Sequence, residues 1–345
     1  MSEFIFVSAA AAPDAGDSIA KQTAMTLARL DERLRAGGST LADAVVVTVY
    51  LRRAADFAAM NDEYRRAWNA VPPTRTTVVV EPLTRGALVE MSAVAVRAGA
   101  DRRAIHPASW MASPNPYSYC LRSGDTLFMS GLIARNGKDN SVVPGDVTTQ
   151  TRAVMENARE LLEAAGLSFP HVVSARVFLP DLQDFAAMNR VYQEYVGADR
   201  PARATVGASL TSQAYNVEMT FIASSASRES IEIAAQPNPN LSAAVRSGPS
   251  LFVSGMLAEG DALKGDGAVQ TRNIFEHLDR VLTKAGLARP DVRELLVYVT
   301  DDDGAAPATT ECREAFGAKV AVTVVKAALV QAGARVEIMA YAERA

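Results

Sequence analysis

The stretches PPTRTTVVVEPLTRGALVEM (72–91) and RPARATVGASLTSQAYNVEM (200–219) decide how this chain is read. Each sets an arginine fifteen residues before a glutamate, Arg75 with Glu90 and Arg203 with Glu218, and the copies lie 128 residues apart. A third version of the frame ends in ARVEIM at Glu337, with Val322 (or, allowing for a one-residue deletion, Thr323) where the arginine belongs. Such self-similarity must be settled before any element is assigned, because one domain used three times is a different fold from one long domain. Three copies with two charged pairs imply a three-part ring with fewer complete sites than parts.

Outward from these stretches the frame continues. Gln22-Thr23, Gln150-Thr151 and Gln270-Thr271 each open a helical stretch, and each Gln lies sixteen residues before a glycine, Gly38, Gly166 or Gly286. Apolar residues in TQTRAVMENARELLEAAG recur near i, i+4, i+7, the pattern of an amphipathic helix with a glycine stop. The β-branched runs at 43–51, 171–179 and 292–300 then predict strands. DFAAMNDEYRRAW (56–68) and DFAAMNRVYQEYV (184–196) predict a second helix with Asn61 and Asn189 in the same place. Hairpins at 115–134 and 238–258 each end in Ser-Gly, whereas the first copy keeps one strand and reads Ser8-Ala9. Each unit therefore reads ββαβαββ, an α+β layer, over 1–97 (first strand missing), 113–225 (the most complete) and 238–345 (degenerate, no site Arg). Helices cover one sheet face only, yet VVVTV and TVVV are apolar on both faces. Three sheets packed inside a ring, with helices outside and clefts at the seams, answer that need.

Composition agrees with such a globular body. The chain has 345 residues, 49% of them apolar and 21% charged, more than one hydrophobic core usually holds. A net charge of −4 argues against a nucleic-acid partner. Cys120 and Cys312 give no disulfide framework, and His106, His171 and His277 stand singly without metal-ligand spacing. No apolar run approaches the ~18 residues of a membrane span. We expect no metal, no membrane and a cytoplasmic location.

The arginine and glutamate make chemical sense at a seam. A guanidinium is a planar, permanently charged fork for a carboxylate. A neighbouring glutamate can polarise water and carry protons. Thr77 and Thr205, two residues after each arginine, share its strand face and add hydroxyls. Ser-Gly at a strand end offers a hydroxyl and an unobstructed N–H. The competing reading is an Arg–Glu salt bridge fixing strand register. No His or Lys accompanies Ser130 or Ser254, which argues against a serine nucleophile.

The hairpin ending in SG, the AG-stopped helix, the DFAAMN helix, the P-x-R-x-T strand and the final VEM strand resemble the Rid (YjgF) family of imine/enamine deaminases. The resemblance spans nearly the whole chain as three tandem copies. It implies a chorismate-mutase-like/YjgF-like fold closed as an intramolecular pseudo-trimer, monomeric as a chain, with further oligomerisation left open. It also implies hydrolysis of 2-imino or 2-enamino acids to 2-oxo acids and ammonia at inter-unit clefts, with no cofactor and a small carboxylate-bearing substrate. By motif position Arg203, Glu218, Arg75 and Glu90 take the catalytic roles. Tyr117, Ser130, Gly131, Asn189, Asn61, Thr205 and Thr77 line the pockets. Copy three departs with Asn240 for Tyr117, Thr309 for the Asn and Val322 for the Arg. Two other functions fit the residues: a non-catalytic small-carboxylate-binding or scaffold protein, and a chorismatase-like enzyme on the same pseudo-trimer. Ribonuclease activity, reported for parts of the family, fits the acidic balance poorly.

Overall fold

The computed structural model describes residues 4–68, 71–198, 200–234 and 238–344. Three sheets account for the strands. The first unit contributes β1 (Phe4–Ala11), α1 (Ile19–Ala36), β2 (Ala44–Leu51), α2 (Phe57–Arg66), β3 (Thr74–Val79) and β4 (Val89–Val96). The second contributes β5 (Arg103–Ile105), β6 (Cys120–Ser123), β7 (Thr126–Met129), α3 (Val147–Ala164), β8 (Val172–Leu179), α4 (Phe185–Val196), β9 (Ala202–Gly207), β10 (Ser209–Leu210) and β11 (Glu218–Ser224). The third contributes β12 (Arg228–Ile231), β13 (Ala244–Ser247), β14 (Ser250–Leu257), α5 (Gly267–Lys284), β15 (Val292–Val299), α6 (Asp302–Phe316), β16 (Ala321–Lys326), β17 (Ala328–Leu329) and β18 (Val336–Glu343). The stretches between the units, 98–112 and 226–237, carry the short strands β5 and β12, which extend the hairpins by pairing with β6 and β13.

In every unit the central strand is β-branched and buried on both faces, β2 along its whole length. One face packs on the two helices of its own unit. The other belongs to a shared core in which Phe4 and Val46 of the first unit meet Phe128 and Val173 of the second and Phe252 and Tyr341 of the third. That core surrounds a small chamber of about 90 Å³ whose polar lining includes Arg176 and Glu294. Sheets lie inside and helices outside, as two-sided burial of the strands requires.

The ring closes by strand exchange. β10 leaves its own unit to pair antiparallel with β3 of the first, and β17 pairs likewise with β9 of the second. At the third seam β1 lies against β16, where the Ala9 N–H donates to Thr323 Oγ1 at 3.1 Å. Leu83 there inserts into the core of the third unit.

The repeated glutamine is a clamp. Gln22, Gln150 and Gln270 are buried at the starts of α1, α3 and α5. Each amide oxygen accepts the backbone N–H two residues before the strand glutamate, from Leu88 at 2.8 Å, Asn216 at 2.7 Å and Arg335 at 2.7 Å. Each amide nitrogen donates to the preceding turn, at Gly86, Ala214 or Gly333. The helix N-terminus thus fixes where the glutamate strand begins. The glycine stops Gly38, Gly166 and Gly286 adopt φ of +84°, +72° and +67°, the left-handed region a glycine enters without strain.

Candidate active site

Within a unit the arginine and the glutamate do not meet. Arg75 on β3 pairs with Val47 of β2, and Glu90 on β4 pairs with Tyr50 on the other side of the same strand. The central strand therefore sends the arginine to one seam and the glutamate to the other. Arg75 of the first unit faces Glu218 of the second, and Arg203 of the second faces Glu337 of the third. This corrects the grouping by sequence copy. The complete pairs are Arg75–Glu218 and Arg203–Glu337, while Glu90 faces the seam that has no arginine.

The first cleft holds about 240 Å³ and is lined by Arg75, Thr77, Tyr117, Gly131, Arg135 and Glu218, among others. Arg75 is 4% exposed and lies 4.9 Å from the Tyr64 ring centre and 5.5 Å from that of Tyr117, which pin its plane by cation–π contact. Its Nη1 and the Thr77 hydroxyl are buried with no hydrogen-bond partner among the described residues. Burial pushes the Glu218 carboxyl up to about 8, against the pull of the Thr77 N–H, Arg75 and Arg176. At neutral pH Glu218 is therefore mostly protonated. Among the described residues the pair does not close to the 4.0 Å of an ion pair, so it is not the register-fixing salt bridge. Buried donors left unpaired beside a protonated carboxyl make a receptor for an anion.

The second cleft, about 360 Å³, repeats the arrangement with Arg203, Thr205, Gly255 and Glu337. Arg203 is 2% exposed, lies 4.6 Å from the Tyr192 ring centre, and leaves Nε and Nη1 without partners, as Thr205 leaves its hydroxyl. Burial raises Glu337 to about 8, with Arg203 opposing.

The Ser-Gly pair proves to be a β-bulge with a steric purpose. Ser254 and Gly255 fall where the pairing of β14 with β18 shifts register. A Cβ on Gly131 would sit 1.8 Å from Glu218 Oε1, and one on Gly255 1.9 Å from Glu337 Oε1. The glutamate packs directly on the glycine backbone. In the first unit this position is Ala9, and Glu90 instead accepts the Thr84 N–H at 2.9 Å. Val322 pairs with Leu295 as Arg75 pairs with Val47, which places Val322 and not Thr323 in the arginine position. Val324 likewise replaces the threonine. The third seam has lost its arginine, threonine and glycine together.

Several residues singled out by sequence take other places. The Ser130 hydroxyl accepts the Arg75 N–H at 2.9 Å and donates to Ser118 O at 2.7 Å, so it ties the arginine strand across the seam and is not free for substrate. Ser254 does the same for Arg203. The Gly131 N–H is occupied by Arg75 O at 3.0 Å. Asn61 is one shell back, donating to Asn115, which lines the cleft. Asn189 is buried, with its Oδ1 unpartnered. Tyr117 and Gly131 serve the Arg75 cleft, Thr205 the Arg203 cleft. Ser118 and Ser242 make matching bonds to the preceding unit at Pro72 and Arg200, which puts Leu241 rather than Asn240 opposite Tyr117. Sequence reading missed Arg135, Tyr215 and Asn115 in the first cleft and Glu259 and His277 in the second. No repeat signal marks Arg135, Tyr215, Glu259 or His277, because the copies differ there, whereas the Asn-Pro of Asn115 recurs at Asn238, which lines the second cleft.

The family model described as Endoribonuclease L-PSP matches residues 2–97, 108–225 and 232–344. The chain belongs to this family. Its members known as RutC and Rid proteins are the relatives found, and the present chain carries three such units where each of those matches one. A RutC family protein of Pyrococcus horikoshii is 43% identical over 108 residues, 31% of this chain and 86% of the relative. Protein DfrA of Myxococcus xanthus is 41% identical over 124 residues, 35% of this chain and 95% of the relative. A 2-iminobutanoate/2-iminopropanoate deaminase of Capra hircus is 35% identical over 122 residues, 35% of this chain and 89% of the relative. Among the described residues no helix of this Rid-family chain is long and apolar enough to cross a membrane, and no group of His, Cys, Asp or Glu could hold a metal ion.

Proposed function

We propose that the chain hydrolyses 2-imino and 2-enamino acids to 2-oxo acids and ammonia at the Arg75/Glu218 and Arg203/Glu337 clefts. The observation that carries this reading is a buried guanidinium with unpaired N–H donors facing, across an open cleft, a buried carboxyl whose pKa burial raises, twice. The substrate carboxylate docks on the guanidinium and takes a hydrogen bond from the threonine hydroxyl. The glutamic acid protonates the imine nitrogen, and the resulting glutamate accepts a proton from the water that attacks C2. The carbinolamine then collapses as that proton passes to the amino nitrogen and C–N breaks, while the glutamate takes the proton of the carbinolamine hydroxyl as C=O forms, so that ammonia leaves and the glutamic acid is restored. Water supplies the oxygen, and no electron leaves or enters. A carboxyl held near pKa 8 suits both directions of transfer at neutral pH. The deaminase names carried by mammalian relatives support the reading.

The test supplies the imine from an amino-acid oxidase and follows ammonia release. The protein should accelerate release over buffer; Arg75→Ala and Arg203→Ala should each remove one cleft's share, and the double variant all of it. No acceleration with any of several amino acids would discard the reading and leave a carboxylate-binding protein.

A further inference from the structure

The two clefts share their reacting end and differ at the other. Four residues after each bulge glycine stands Arg135 in the first cleft and Glu259 in the second. Arg135 is half-buried, and the Arg135–Val142 bridge and a bond from its Nε to Asn140 O at 3.2 Å hold it in place. Among the described residues no acidic side chain pairs with it. Around it the first cleft presents Tyr117, Thr211, Ser212 and Tyr215. At the matching places the second presents Leu241, Val330 and Gln331, with Ile233, Met256 and Leu257 nearby. Glu259 lies 3.7 Å from His277 Nε2 and is largely exposed.

We propose that the first cleft selects substrates with a second anionic group, the dicarboxylic 2-imino acids, through Arg135, and that the second takes those with apolar side chains. This rests on the deaminase reading for turnover but not for binding. In the first cleft Arg75 takes the carboxylate next to C2, and Arg135, whose Nη atoms have no hydrogen-bond partner among the described residues, takes the carboxylate at the far end of the side chain. A carboxylate entering the far end of the second cleft would meet Glu259, the neutral Asn238 and Gln331 and an apolar wall with no arginine or lysine besides Arg203, where it loses hydration without a counter-charge.

The experiment measures calorimetric binding of 2-oxoglutarate and 2-oxobutanoate, stable stand-ins for products of the two classes. In the Arg203→Ala protein, which retains the first cleft, 2-oxoglutarate should bind at least about tenfold tighter than 2-oxobutanoate. Adding Arg135→Gln should bring that ratio to about one, and Arg135→Glu below it. In the Arg75→Ala protein, which retains the second, the ratio should be one or less. A ratio near one in Arg203→Ala, a preference that survives Arg135→Gln, or no 2-oxoglutarate binding to Arg203→Ala overturns the proposal. Circular dichroism of each variant separates loss of selectivity from loss of fold. If no imine is hydrolysed but the binding ratio holds, deamination fails and the selectivity stands. If apolar imines are hydrolysed and the ratio is one, the reverse follows.

Discussion

Replacing Gly131 by alanine should disable the first cleft without unfolding the protein. The added Cβ would lie 1.8 Å from Glu218 Oε1 and 2.8 Å from its Cδ, closer than the 3.0 Å that real Cβ contacts respect. The Gly131 backbone is not left-handed, so alanine adds no torsional strain there. All of the conflict falls on the glutamate, whose oxygen must move by more than about 1 Å, a displacement that costs on the order of 100-fold in rate at a reacting centre. The first unit shows where that leads: with Ala9 at the position, Glu90 turns onto the Thr84 N–H. Stability should change by no more than about 2 kcal/mol, since the loss of unfolded-state freedom on Gly→Ala offsets part of the repacking. The assay is ammonia release from oxidase-generated imine in an Arg203→Ala background, where only the first cleft works, with thermal denaturation alongside. Gly255→Ala in the same background is the control and should leave the rate alone. Retention of more than about a third of the background rate by a folded Gly131→Ala protein would refute the steric argument, because a 1 Å shift could not be that cheap.

Three other outcomes follow from the same geometry. Val322→Arg alone should not create a third active cleft, whereas Ala9→Gly with Val322→Arg frees Glu90 to turn and should raise the activity of an otherwise silenced Arg75→Ala/Arg203→Ala protein above background. Glu218 is raised from 4.5 to about 8, so the folded state holds its proton more tightly than the unfolded chain; its contribution is complete below about pH 4.5 and is lost as pH climbs to about 8. Glu218→Gln should therefore flatten the decline of stability between those values, by on the order of 4 kcal/mol at pH 8 in denaturant titrations; an unchanged slope would mean the carboxyl is solvated. Ser130→Ala removes two buried hydrogen bonds, one across the first seam to Arg75 and one within the second unit to Ser118, and should cost about 2 kcal/mol together with activity in the first cleft, while a serine acting only on substrate would change the rate and spare stability.

The sequence by itself determined the repeat, the element order within each unit and the arginines, glutamates and threonines that recur in it. Local rules suffice for these: the 3.6-residue period of α3, the glycine stops and the β-branched runs are written in neighbouring residues. The need for a shared inner core was legible too, since VVVTV and TVVV in the first unit are apolar on both faces. Which arginine works with which glutamate was decided only by tertiary structure. Arg75 and Glu90 are close in sequence, but the strand between them carries them to opposite seams, and the glutamate that Arg75 meets lies 143 residues away. Two of the three losses at the third seam show the same division: Val322 is visible as a missing charge, whereas the meaning of Ala9 emerges only when its methyl group is seen to occupy the space that Glu218 fills in the neighbouring seam.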